Sequence, residues 1–86
     1  MIFTVYILQS LLKECYYVGQ TSDLQRRLEE HNNGASPSTQ YNRPWKIVYS
    51  ESFSSRSDAM RREKEIKKMK SRKFIESLIV KNNLGT

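Results

Sequence analysis

Residues 2–20 read IFTVYILQSLLKECYYVGQ, two runs rich in β-branched and aromatic residues on either side of a polar Lys13-Glu14 pair. Ile2–Gln9 and Cys15–Gln20 each have the length and composition of a strand. The short gap between them favours an antiparallel hairpin. Tyr6 and Tyr17 then fall on adjacent strands, where they could lie side by side across the ladder. Gly19, near the end of the second run, marks a place where another group must approach the backbone closely.

Outward from the hairpin, Ser22 opens a helix with Gln25 as its capping-box partner. That helix runs to about Asn32 and stops at Asn33-Gly34. Gly34 to Pro44 is a polar loop carrying Pro37 and Pro44, long for so small a chain, and loops of this length more often carry function than connecting loops usually do. Trp45 to Phe53 alternates, with Trp45, Ile47, Tyr49, Glu51 and Phe53 on one side and Val48 on the other, and reads as a third strand. Ser57 or Asp58 caps a helix through about Met69. Ser71 caps another from Arg72 to about Lys81, with Phe74, Ile75, Leu78 and Ile79 as its apolar side. The order is β-β-α-β-α-α, without internal repeat or linker, so residues 1–86 are expected to form one domain.

Composition narrows the function. The single cysteine allows no intrachain disulfide, and one His with one Cys excludes a Cys/His zinc cluster. A reducing, cytoplasmic location is the simpler expectation. Three glycines leave no P-loop or dinucleotide fingerprint. No apolar run spans a bilayer and no signal peptide is read, so no membrane partner is expected. The formal charge of +6 is concentrated: between Arg61 and Lys73 lie eight basic residues and two acidic ones, and the remainder is neutral. Such a segment favours a polyanion, and only Met60, Ile66 and Met69 interrupt it with large apolar groups, too few for a membrane-binding helix. Nucleic acid is the better partner, with a solvated helix face as the bland account.

Helical spacing singles out three polar residues. Leu24, Arg27, Leu28 and His31 share one face of the first helix, which sets Arg27 and His31 at the edge of an apolar stripe. An arginine there either snorkels to solvent or serves a site. Ala59, Glu63 and Ile66 share one stripe of the second helix. A carboxylate in that position must be paired, ligate a metal or stay neutral. An ion pair with Arg27 and a metal site are both open on periodicity alone.

Taken together, these residues resemble the GIY-YIG nuclease family. The half-motifs stand as Thr4-Val5-Tyr6-Ile7-Leu8 and Tyr16-Tyr17-Val18-Gly19. The match continues through Gln20-Thr21-Ser22-Asp23-Leu24-Gln25-Arg26-Arg27-Leu28-Glu29-Glu30-His31-Asn32, then Arg43-Pro44-Trp45-Lys46-Ile47-Val48-Tyr49 and Ala59-Met60-Arg61-Arg62-Glu63-Lys64-Glu65-Ile66-Lys67. The chain is most similar to small single-domain bacterial members related to the nuclease module of the repair excinuclease. Thr4 replaces the motif's first glycine, and Val5 and Val18 replace its isoleucines. The resemblance implies an α/β fold of the α+β type, with a three-stranded antiparallel sheet flanked by helices.

It also implies a metal-dependent endonuclease hydrolysing DNA phosphodiester bonds, guided by DNA structure or by partner proteins, in repair or recombination. The catalytic positions map onto Tyr6, Tyr17, Arg27, His31 and Glu63. Glu63 would hold Mg²⁺ or Mn²⁺, and a single carboxylate suits Mg²⁺, which keeps several waters. Arg27 suits a phosphoryl oxygen. Tyr17 is the first choice to deprotonate or orient the attacking water, Tyr6 assisting and His31 relaying a proton. Arg26, Arg61, Arg62, Lys64, Lys67, Lys68 and Lys70 are the expected nucleic-acid contacts. A late asparagine of related chains would correspond to Asn83. DNA is the implied partner, with other repair proteins as a second class. The competing class is a non-catalytic nucleic-acid-binding or interaction module that keeps the nuclease fold. Glu63 discriminates the two, since a pure phosphate-binding surface gains nothing from a carboxylate. Glu65-Ile66-Lys67 is a chance match to an acidic-x-Lys nuclease fragment, since it lies in a helical stretch. Cys15 with His31 lacks the orienting third group of a thiol site.

Overall fold

Four consecutive apolar side chains, Val5 to Leu8, are all buried, which a strand permits only when both its faces are covered. In the computed structural model, which describes residues 1–37, 39–69 and 71–84 with side chains through Lys81, they form the middle of β1 (Phe3–Ser10). Strand β1 is the centre of a three-stranded antiparallel sheet of order β2-β1-β3, with β2 at Tyr16–Thr21 and β3 at Trp45–Phe53. Helix α1 (Leu24–Asn33) precedes β3, and α2 (Arg56–Met69) and α3 (Arg72–Leu84) follow it. The α+β class and the β-β-α-β-α-α order hold.

The period of β1 divides the core in two. Val5 and Ile7 join Val18 of β2 with Ala59, Ile66 and Leu78 of α2 and α3. Tyr6, Leu8 and Trp45 form the other cluster, packed by Tyr17, Leu24, Leu28 and Ile47. Helix α1 therefore covers one face and α2 with α3 the other.

Strand β3 departs from the alternation expected of it. Ile7 pairs with Tyr49, but Leu8 pairs with Ile47, so Val48 is an extra residue in the ladder. A bulge of this kind moves the following side chains to the opposite face. Trp45 and Ile47 accordingly join the α1 cluster, while Val48, Tyr49 and Phe53 pack on the α2 side.

The caps also shift. Asp23, rather than Ser22, caps α1, its carboxylate accepting the Arg26 N–H at 3.2 Å. A carboxylate at that position also meets the positive end of the helix dipole, an advantage a serine lacks. Helix α2 begins earlier than Ser57 or Asp58 would set it, because the Ser55 hydroxyl accepts the Asp58 N–H at 3.2 Å. Ser71 caps α3 as expected, accepting the Phe74 N–H at 3.2 Å. Gly34 ends α1 in the left-handed region at φ 80°, its N–H directed at the carbonyls of Glu30 and His31.

The loop after α1 is tied down at both ends. Asn32 of α1 accepts the Trp45 N–H at 2.6 Å and donates to the Trp45 carbonyl at 3.1 Å, pairing with β3 as a neighbouring strand would. The Ser10 hydroxyl donates to the Asn42 carbonyl at 2.6 Å, and the Leu11 N–H to that of Pro44 at 2.9 Å. These bonds hold the loop against the α1 side of the sheet, where the candidate site forms. Among the described residues no helix is long and apolar enough to cross a membrane.

Candidate active site

Tyr6 lies directly opposite Gly19 in the β1–β2 register. A Cβ on Gly19 would stand 2.6 Å from the Tyr6 hydroxyl oxygen and 2.8 Å from its Cζ. The close approach expected at Gly19 is thus made by the protein's own tyrosine ring, which fills the space a side chain would take. Tyr17 pairs with Leu8, so the two tyrosines are diagonal neighbours rather than opposed, with ring centroids 6.4 Å apart.

Leu24 and Leu28 dock α1 on this cluster, and their spacing carries His31 inward. His31 is fully buried. Its Nε2 lies 3.1 Å from the Tyr6 hydroxyl and its Nδ1 2.7 Å from the Thr39 hydroxyl, and its ring centroid is 4.8 Å from that of Tyr17. Burial, reinforced by the Arg27 charge and opposed by Glu30, holds its pKa below the ordinary histidine value. The ring is therefore neutral at physiological pH.

Arg27 does not snorkel away. Its side chain is one-third exposed, and its guanidinium donates to Glu30 at 3.0 Å. It also interacts with the Tyr6 and Tyr17 hydroxyls, each of which favours its charged form. The Glu30 bond is the largest cause of its raised pKa, so the group stays charged. Burial pushes the Tyr6 phenol up to about 12, with the Arg27 hydrogen bond opposing and the Tyr17 and Glu63 charges adding.

Glu63 comes from the other layer. It sits on α2 between the buried Ala59 and Ile66, with its side chain 21% exposed. Its partner is Lys67 at 2.7 Å, while Arg27 pairs with Glu30 of its own helix. The negative charge of Glu63 nonetheless bears on Tyr6. Tyr6 is thus the point on which Tyr17, Arg27, His31 and Glu63 all act.

The donor set bears on which metal fits. Among the described residues no three His, Cys, Asp or Glu side chains cluster. That excludes an all-protein cage of the zinc or calcium type there. One partly exposed carboxylate fits Mg²⁺ or Mn²⁺, which retain water and take further oxygens from a phosphate. Glu63 is the residue that would hold it.

The expected phosphate contacts separate into two groups. Arg62 is folded onto β3, donating to Glu51 at 3.1 Å with Glu65 as a second partner, and lies beside Tyr49. Lys67 is paired with Glu63. Arg26 and Arg61 are exposed, with ion pairs to Glu30 at 3.8 Å and Asp58 at 3.6 Å. Lys64 and Lys68 project from α2 into solvent. Lys70 and the Asn83 side chain lie outside the described residues. Two polar groups join the site without a sequence signal of their own: the buried Thr39, from the long loop, and the half-buried Asn32, which sets the Trp45 backbone. Only the fold brings them to His31 and β3.

The sequence model described as the GIY-YIG catalytic domain matches residues 2–75. A UPF0213 protein of Halobacterium salinarum is 47% identical over 55 residues, 63% of this chain and 71% of that protein. One of Staphylococcus saprophyticus is 42% identical over 52 residues, 59% of this chain and 63% of its own length, so the chain spans less than two thirds of that relative. The solution structure of a UPF0213 protein from Bacillus halodurans matches with a TM-score of 0.59 at 35% identity, covering 93% of this chain and 84% of that one. The chain belongs to the GIY-YIG family.

Proposed function

We propose that this GIY-YIG family member is a metal-dependent endonuclease that hydrolyses DNA phosphodiester bonds, guided by DNA structure or by a partner, in repair or recombination. Residues 1–86 would form its one catalytic domain, acting in the cytoplasm. The supporting observation is the gathering of Tyr17, Arg27 and His31 around Tyr6 in one layer, with the charge of Glu63 in the opposite layer bearing on the same phenol. A structural core has no need to gather a permanent cation, two phenols and a neutral imidazole at one point.

Arg27 has the planar, permanently charged fork that binds a phosphoryl oxygen and stabilises the charge that develops on it. Glu30 holds that fork at 3.0 Å, and the Tyr6 and Tyr17 hydroxyls act on it. Tyr17 is half-buried while Tyr6 is 1% exposed, so Tyr17 is the hydroxyl able to orient or deprotonate an attacking water. Tyr6, kept protonated by its surroundings, positions Arg27. Glu63 would hold Mg²⁺ or Mn²⁺, which when bound supplies positive charge at the scissile phosphate. Lys64, Lys68, Arg26 and Arg61 would track the backbone without reading sequence.

The test is cleavage of supercoiled plasmid and branched oligonucleotides in Mg²⁺ or Mn²⁺ by the wild type, Glu63→Ala and Arg27→Ala. Metal-dependent cutting lost in both folded variants supports the nuclease. The Glu63–Lys67 pair favours a second reading, because it gives the carboxylate a partner without any metal. No cutting by the wild type, with salt-sensitive DNA binding kept in Glu63→Ala, would establish a binding module instead.

A further inference from the structure

We infer that Thr39 is a positioning residue: through His31 it orients the Tyr6 hydroxyl so that the phenol oxygen faces Arg27. The hydrogen-bond geometry stands whatever the chain does, and its catalytic consequence rests on the nuclease reading above.

The protons can be followed one at a time. A guanidinium has donors and no acceptor. Toward Arg27, whose charge acts on the phenol, the Tyr6 oxygen therefore has only an acceptor role to offer. The Tyr6 proton then needs an acceptor of its own, and the residue is 1% exposed, so water does not serve. His31 Nε2, at 3.1 Å, is the acceptor in place. That requires a bare lone pair on Nε2, which in a neutral imidazole puts the proton on Nδ1. The Nδ1–H donates to the Thr39 hydroxyl oxygen at 2.7 Å. The Thr39 proton is left for the Ser36 carbonyl at 3.4 Å. The other tautomer would drive Nε2–H into the Tyr6 oxygen and leave the Tyr6 proton buried without an acceptor.

Thr39 is built to hold this position. It is fully buried, its N–H donates to the Ser36 carbonyl at 3.1 Å, and its own carbonyl accepts the Trp45 indole N–H at 3.0 Å. Asn32 in turn fixes the Trp45 backbone from the helix that carries His31. The charged and titratable groups around the ring are Arg27 and Glu30 of α1, Tyr6 of β1 and Tyr17 of β2. The loop from Gly34 to Pro44 thus reaches Arg27 through two intermediate side chains. It would set the direction of the guanidinium without touching substrate.

The chain has one histidine, so ¹⁵N NMR of the labelled protein reads this tautomer without assignment ambiguity. The expected wild-type pattern is a protonated Nδ1, slow to exchange with water, and an unprotonated Nε2. Thr39→Val should shift the pattern toward the other tautomer, and Thr39→Ser should keep it. A wild-type protein with its proton on Nε2 overturns the inference and needs no variant to fold. So does a folded Thr39→Val with the wild-type pattern. On cleavable DNA, Thr39→Val should cut at least about tenfold more slowly with unchanged DNA affinity, Thr39→Ser restoring the rate. Full activity in a Thr39→Val whose tautomer has moved would remove the catalytic consequence. A wild type that never cuts would sink the nuclease reading and leave the tautomer result to decide the geometry alone.

Discussion

Gly19→Ala should be among the most damaging single-methyl additions available to this fold. The new Cβ would stand 2.6 Å from the Tyr6 oxygen, about 0.8 Å inside the 3.4 Å of ordinary contact, with Tyr17 Cε2 at 3.1 Å behind it. A flexible side chain would move aside. The Tyr6 ring cannot do so freely, being 1% exposed and bonded to the buried His31. Overpacking of this kind costs about 1–3 kcal/mol. Pulling Tyr6 from His31 strands a buried hydrogen-bonding group at a further cost of about 1–3 kcal/mol. Alanine's lower backbone entropy returns roughly 0.5–1 kcal/mol. The net is a loss of about 1–5 kcal/mol, centred near about 3 kcal/mol, against a total of only ~3–5 kcal/mol for an unstapled domain of this size. At roughly 4–8 °C per kcal/mol, the central loss should lower the midpoint by about 12–24 °C. Thermal melts and urea titrations of wild type, Gly19→Ala, Tyr6→Phe and the double variant measure this. Phenylalanine removes the 2.6 Å contact but keeps Cζ at 2.8 Å, so Gly19→Ala should cost at least about 1 kcal/mol less in that background. A Gly19→Ala protein within about 0.5 kcal/mol of wild type, or one equally damaged in both backgrounds, would refute the packing described here.

Asn32→Ala removes both bonds to the Trp45 backbone and should cost about 2–3 kcal/mol, seen as a lower urea midpoint with an unchanged slope. Because folding lowers the His31 pKa, the unfolded chain binds the proton more readily, so the His31 contribution to stability is complete above about pH 6.5 and is lost as the pH falls. Urea unfolding at pH 7.5 and pH 5 should therefore show a larger drop for wild type than for His31→Gln, and parallel behaviour would contradict a buried neutral ring. In DNA titrations against salt, Lys64→Ala and Lys68→Ala should each reduce the slope by about 0.9. Arg62→Ala should leave that slope alone and lower thermal stability, because its guanidinium is held by Glu51 and Glu65; the reverse pattern would count against this division.

The strands, the helix order and the five residues of the candidate site were legible because each has a local or periodic signature. Val5 to Leu8 carries its two-sided burial in composition, and Glu63 is conspicuous between Ala59 and Ile66. The β3 bulge was not legible: nothing in Ile47-Val48-Tyr49 distinguishes an extra residue from continued alternation, and pairing with β1 decides it. The cap of α1 was placed one residue early, at Ser22 instead of Asp23, because both are good capping residues one position apart. Thr39 and Asn32 were invisible for a different reason. Each acts through a partner distant in sequence, and a threonine in a polar loop or an asparagine in a last helical turn is ordinary in its local setting. The partner of Glu63 was left open for a related reason. Periodicity allowed an ion pair with Arg27 or a metal site, and the fold places Lys67, four residues along α2, against the carboxylate.

Lys67 bears on whether Glu63 can serve a metal at all. The pair lies at i,i+4 on one helix, the lysine side chain is 49% exposed and the carboxylate 21%. Pairs of that geometry stabilise by only about 0.3–0.5 kcal/mol, since water screens them and the lysine loses side-chain freedom. A divalent ion faces no larger obstacle than that, together with the repulsion of an ammonium able to swing into solvent. Lys67→Ala removes both. Its Mn²⁺ affinity, measured by calorimetry or by the spectrum of bound ion, should rise by about twofold or more, with thermal stability nearly unchanged. An affinity that falls would mean that Lys67 orders the carboxylate for the metal rather than competing with it. Loss of stability beyond about 1 kcal/mol would mark the pair as structural, and the case for a metal at Glu63 would weaken with it.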